Sequence, residues 1–312
     1  MMLTPISPTI VTLDQLLAWR QKARHLSLKT LRIKAMQGGV YLSRFKGRGM
    51  EFEEVRRYQA GDDVRAIDWR VTARTQKVHT KLFREEKERP VLFCLDLSSS
   101  LFFASQQAYK AVMGAHILAL LSWAAHHHHD RVGGIVFDHN QLLESDPKRR
   151  EKGVLSLLRQ VINHQAWQTK SDELLSEKCR EDAFLKASRA LRKIARPGSL
   201  IFMISDWSLA SDAMMAEVQQ IASHSDMIII FLYDKLESML PSPGQYPILI
   251  SDTFHLINTA DPLVREAYEE AFENRVSKLY KICRRLGIQF VPCATHDNIF
   301  ELLNNHFNKP ET

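Results

Sequence analysis

Short, uninterrupted apolar runs alternate with stretches of helical spacing through the last two thirds of the chain. The runs cover residues 91–95, 131–137, 199–205, 227–232 and 288–291. A strand buried on both faces of a parallel sheet reads this way. Helical spacing covers residues 106–129, 149–162, 173–194, 212–222, 262–286 and 298–307, with stops at Pro197-Gly198 and Gly287. Such alternation predicts an α/β fold with a doubly wound, mostly parallel, Rossmann-like sheet. Residues 141–143 predict a short edge strand. Proline, glycine and two β-like runs in residues 241–258 predict a hairpin insertion near 238–260.

The first ninety residues are less regular. Residues 12–24 carry a helical pattern with Leu13, Leu16 and Leu17 on one side, whereas residues 26–36 stay open between helix and strand. Gly61-Asp62-Asp63 predicts a turn into a short helix, and residues 79–85 a strand. Charge separates this part from the rest: residues 1–90 hold 19 Lys/Arg against 10 Asp/Glu, and the remainder 23 against 26. The expected division is a basic N-terminal extension, 1–89, and an α/β domain, 90–312.

Nine basic residues and no acidic one lie between Arg20 and Arg48. Such a block suits nucleic acid, anionic lipid or an acidic protein face, and equally a solvated surface. The 45% hydrophobic content is that of a folded globular chain. Residues 1–17 lack the pattern of a signal peptide, and no window approaches the roughly 18 apolar residues of a membrane span. The four cysteines form no Cys-x-x-Cys pair, so neither zinc nor a disulfide framework is expected. The expectation is a cytoplasmic protein without a membrane span.

The first apolar run ends in Asp96-Leu97-Ser98-Ser99-Ser100. Ligands of open α/β sheets bind beyond the carboxyl ends of the strands. There Asp96, Ser98 and Ser100 offer one anionic and two neutral oxygens to a hard cation such as Mg²⁺, although the serines equally suit a helix cap. The run at 199–205 also ends in a carboxylate, Asp206. His126 to His129 is read as closing a helix. No P-loop, dinucleotide fingerprint or Gly-x-Ser-x-Gly elbow is present.

With these two aspartates the chain resembles the von Willebrand factor A fold. The adhesion site of that fold uses Asp-x-Ser-x-Ser, a threonine from a second loop and an aspartate from a third. Asp96, Ser98, Ser100 and Asp206 match the first and third loops; Thr169 lies in the interval of the second but lacks its usual context.

More narrowly, the chain resembles the bacterial family called domain of unknown function 58, over roughly residues 15–307. The signature of that family, Arg-x-Tyr-x-x-Gly-Asp-Asp-x-Arg-x-Ile-Asp-Trp-x-x-x-Ala-Arg, is placed here on Arg57, Tyr58, Gly61, Asp62, Asp63, Arg65, Ile67, Asp68, Trp69, Ala73 and Arg74. Asp62, Asp63 and Asp68 are expected to pair with Arg57, Arg65 and Arg74, while Tyr58 and Trp69 anchor the segment. The resemblance implies a non-enzymatic, metal-dependent interaction module that works with a MoxR-type AAA ATPase and its client in chaperone-like assembly or regulation. Mg²⁺, or else Mn²⁺ or Ca²⁺, would sit at the adhesion site. A metal-dependent hydrolase using Asp96 and Asp206, and a nucleic-acid-binding module using Arg20 to Arg48, are the alternatives; nucleic acid is the weaker of them.

Overall fold

The computed structural model describes residues 6–28, 50–59, 62–85, 88–168, 176–250 and 253–307. The chain forms two units, Met1–Ala35 with Arg89–Thr312, and Met36–Glu88. Two short helices, α1 (Leu13–Leu17) and α2 (Trp19–Lys22), come first, and Thr12 and Gln15 close a capping box on α1. Leu16, Trp19 and Ala23 are buried, and the Trp19 indole donates to Nδ1 of His116 at 2.8 Å. Residues 6–28 thus share the core of the α/β unit, and the expected 1–89 extension is divided. Apolar burial of Leu16 and Trp19, rather than the neighbouring positive charge, decides where this segment goes.

In the second unit, β1 (Met50–Arg57) pairs antiparallel with β2 (His79–Glu85), and α3 (Trp69–Thr75) falls between them in sequence. Asp68 caps α3 by accepting from the amides of Arg70 and Val71.

The α/β unit continues with β3 (Pro90–Asp96), α4 (Lys110–His127), β4 (Arg131–Phe137), β5 (Leu142–Lys148), α5 (Glu151–Asn163), α6 (Glu177–Ile194) and β6 (Leu200–Ser205). Then follow α7 (Asp212–Ala222), β7 (Asp226–Tyr233), the single turn α8 (Lys235–Ser238), β8 (Gln245–Ile250), β9 (Thr253–Asn258), α9 (Pro262–Leu286), β10 (Gln289–Ala294) and α10 (Ile299–Phe307). Six strands form one sheet in the order β10-β7-β6-β3-β4-β5, parallel except for β5; β8 and β9 form a separate antiparallel hairpin.

Alternate side chains of β3 feed two cores. Val91, Phe93 and Leu95 join Leu118 of α4, Leu158 of α5 and Leu303 of α10. Leu92 and Cys94 join Phe184 of α6, Val218 of α7 and Leu279 of α9. The chain is therefore an α/β protein with helices on both faces of a mostly parallel sheet. Two elements differ from expectation. The edge strand β5 runs through seven residues, tolerating Pro147 because edge strands leave some amides unpaired. Helix α4 begins at Lys110, four residues later than expected, after an extended Tyr109.

Candidate functional site at the carboxyl edge of the sheet

Strands β3 and β6 are neighbours, with Leu95 opposite Ile204. From this pair the chain moves outward both ways, β3 leading to β4 and β6 leading to β7. Such a switch in direction opens a crevice at the carboxyl ends of the two strands. Asp96 and Asp206 stand there, both buried.

The Asp96 carboxylate accepts from the Ser98 amide at 2.8 Å, from the Ser98 hydroxyl, and from the Ser205 hydroxyl at 2.7 Å. Burial, and then the nearby charge of Asp206, push its pKa up to about 6 against these hydrogen bonds. Asp206 goes the other way. Burial works to raise its pKa, but Lys110, the Ser100 hydroxyl and the Ser208 amide together hold it below the usual carboxylate range. The four oxygen-bearing side chains singled out from sequence are thus assembled: Ser98 on Asp96, Ser100 on Asp206, and the two carboxylates within electrostatic reach.

Lys110 is the residue that the motif did not reveal. Its side chain has no solvent exposure, and its ammonium donates to Asp206 Oδ2 at 3.0 Å and to Glu237 Oε1 at 2.7 Å. Burial opposes the charge, but Asp206 and Glu237 raise the lysine pKa overall. A signal for it exists in the sequence: Asp96 and Lys110 are the only Asp, Glu, Lys or Arg between Arg89 and Asp130.

The network continues along the sheet edge. Asp234, at the end of β7, accepts from the Ser105 amide and hydroxyl, from Thr295 Oγ1 at 2.6 Å and from the Leu236 amide, while its own amide donates to Glu237. Burial tends to raise its pKa, but these bonds bring it below the usual range. Asp138, at the end of β4, turns its carboxylate to the Asn140 and Gln141 amides. Four neighbouring strands thus each end in an aspartate; Asp138 is spent on its own turn, and Asp234 ties Ser105 and Thr295 together.

The donor set fits a hard cation. Asp96 forms no ion pair among the described residues, so its charge is balanced only by hydroxyls and an amide; Ser98 is bonded to it, and Asp206, with Ser100 acting on it, is within electrostatic reach. No group of three or more His, Cys, Asp or Glu able to hold a metal occurs among the described residues, so serine hydroxyls and water would complete any shell. Thr169 lies outside the described residues.

The signature residues fall in the second unit, apart from Gly61, which is not among the described residues. Their pairing differs from expectation. Arg56, not Arg57, bonds Asp62 at 2.8 Å. Asp63 accepts from the Arg65 amide, and Asp68 caps α3 and meets Lys81 Nζ at 3.4 Å. Trp69 is 68% exposed, while Tyr58 and Ile67 are half-buried. Ala73 and Arg74 lie on the exposed side of α3. Of the basic stretch, Arg20 pairs with Glu151, and Lys22 stands over the rings of Trp19 and Phe300; most of the remainder lies outside the described residues.

No helix among the described residues is long and apolar enough to cross a membrane. The chain is similar to uncharacterized proteins of Mycobacterium bovis and Mycobacterium tuberculosis, each 24% identical over 276 residues, covering 86% of this chain and 84% of the relative. Among solved structures it is similar to the conserved hypothetical protein BatB from Bacteroides thetaiotaomicron, at 15% identity and a TM-score of 0.42, covering 70% of this chain and 97% of that one. The profile of one family matches residues 54–278, which include the last part of β1, the signature and the whole of the sheet edge from Asp96 to Glu237. The chain belongs to that family, described as Protein of unknown function DUF58.

Proposed function

We propose that this chain is a non-enzymatic, cytoplasmic protein-interaction module whose sheet edge takes up a divalent cation and, with it, a carboxylate of a partner. The observation that carries the reading is the charge imbalance at Asp96: a buried carboxylate, facing Asp206, with no cationic partner among the described residues. Ser98 and Ser100 would ligate Mg²⁺, or else Mn²⁺ or Ca²⁺, directly, with Asp96 and Asp206 bound directly or through water. When bound, the cation supplies one open position for an acidic side chain from outside. Lys110 keeps Asp206 ionised and fixed in place, and Ser205 orients Asp96. The resemblance to the von Willebrand factor A fold supports this reading, and the family resemblance points to a MoxR-type AAA ATPase, with its client, as the partner.

Calorimetry with Mg²⁺ tests the site. Uptake at millimolar concentration by the wild type, lost in Asp96→Ala with an unchanged circular dichroism spectrum, is the expected result. Retention of the ATPase on the immobilised chain should then fall on chelation. Absence of any Mg²⁺ or Mn²⁺ uptake by the wild type overturns the reading.

A further inference from the structure

In the second unit the acidic residues of the signature are engaged within it, whereas Arg65, Arg74 and the intervening Arg70 are not. Asp62 is bonded to Arg56 and to the Gln59 amide, Asp63 to the Arg65 amide, and Asp68 to the Arg70 and Val71 amides and to Lys81. Arg65, Arg70 and Arg74 are exposed, and their guanidinium groups make no bond among the described residues.

Helical spacing arranges what is left. Trp69 and Ala73 form one row along α3, and Arg70 and Arg74 the row beside it. Val71 and Thr72 turn to the half-buried side. Val64, 59% exposed, and Arg65 belong to the turn that precedes Asp68. A tryptophan left 68% in solvent, next to a row of two unpaired arginines on the same helix, is an unusual surface, because arginine and tryptophan are among the residue types that dominate binding energy at protein interfaces.

We propose that this face of α3 is a docking surface for an acidic segment of a partner protein, with an apolar residue of that segment packed on the Trp69 indole. Charge complementarity names the occupant. A guanidinium group bonds a carboxylate through two parallel N–H groups, and its planar face also stacks on aromatic rings. Nucleic acid fits less well. Seven residues of helix extend only about 10 Å, so the arginines span few phosphates, and the exposed Asp63 carboxylate lies next to Arg65 in the turn. The surface is built within the second unit alone and calls for no cation.

Collisional quenching by acrylamide, on the full chain, tests this. Of the five tryptophans, Trp19, Trp123 and Trp207 are buried and Trp167 is half-buried, so Trp69 carries most of the quenchable emission. A synthetic peptide of repeated Glu-Glu-Leu is the probe; its repeated Lys-Lys-Leu counterpart and an oligothymidylate are the controls. The acidic peptide is expected to protect Trp69, with affinity falling at least about tenfold in the double variant Arg70→Glu/Arg74→Glu, read by the same protection, and in Trp69→Ala, read by calorimetry because that variant lacks the reporter. These side chains are exposed, so both variants should melt with the wild type. Three results overturn the proposal: no protection at millimolar peptide, stronger protection by oligothymidylate, or free protein whose quenchable emission is unchanged in Trp69→Phe, which would mean that the chain itself covers the indole.

Discussion

The Lys110 ammonium and the Asp206 carboxylate lie 3.0 Å apart and almost wholly shielded from bulk water: the lysine side chain is fully buried and that of Asp206 is 5% exposed. A charge pair so placed adds little stability over an apolar pair, but removing one partner strands the other. In Lys110→Met both Asp206 and Glu237 lose their cation. Denaturant unfolding should show a loss of about 3–5 kcal/mol, and the double variant Lys110→Met/Asp206→Asn should recover part of it. Full wild-type stability in the single variant would show that loss of Lys110 does not strand Asp206 and Glu237.

Asp96 gives the site a pH dependence of definite sign. Its folded pKa, about 6, lies above the ordinary carboxylate value, so the folded state holds this proton more tightly than the unfolded state does. Its contribution to stability is therefore present below about pH 4 and is lost as pH rises through 6. At about 1.4 kcal/mol per unit, the loss is on the order of 2–3 kcal/mol. Asp96→Asn should be more stable than wild type at pH 7, and the difference should vanish near pH 4. Unfolding curves across this range check it.

His116 acts in the opposite direction over nearly the same range. Burial lowers its pKa to about 4, and the neutral ring accepts the Trp19 indole N–H. The unfolded chain takes up a proton near pH 6.5 that the folded chain refuses, so this contribution is present above 6.5 and is lost as pH falls toward 4. His116→Phe should flatten that part of the acid limb. Trp19→Phe, which removes the hydrogen bond and puts a smaller ring in place of the indole, should cost at least about 1 kcal/mol. Because Asp96 and His116 oppose one another, each is read from the difference between a variant and the wild type.

The strands that build the site were legible because they are buried on both faces. Val91–Leu95 and Leu200–Ile204 admit no polar residue, and each announces its own carboxyl end with an aspartate. Lys110 was hidden for the opposite reason. A lysine in the first turn of a helix usually lies in water, and what buries this one is Asp206, 96 residues away, together with Glu237. Strand β5 was legible only at its start, since Glu144, Asp146 and Lys148 follow; pairing with β4, not side-chain pattern, carries it on. The dense charges around the signature allowed several pairings, and the turn at Gln59–Asp62 selected Arg56.

Trp19 and Leu16 lie in the same core as β3, yet the chain between them leaves to form the unit of Met36–Glu88 before it returns. That unit is an insertion, joined to its host by two covalent connections rather than one. A single proteolytic cut inside it would nick the chain without parting it, because the short N-terminal fragment remains held by its buried side chains. Such a nicked protein should run as one particle in native gel filtration and as two bands once denatured.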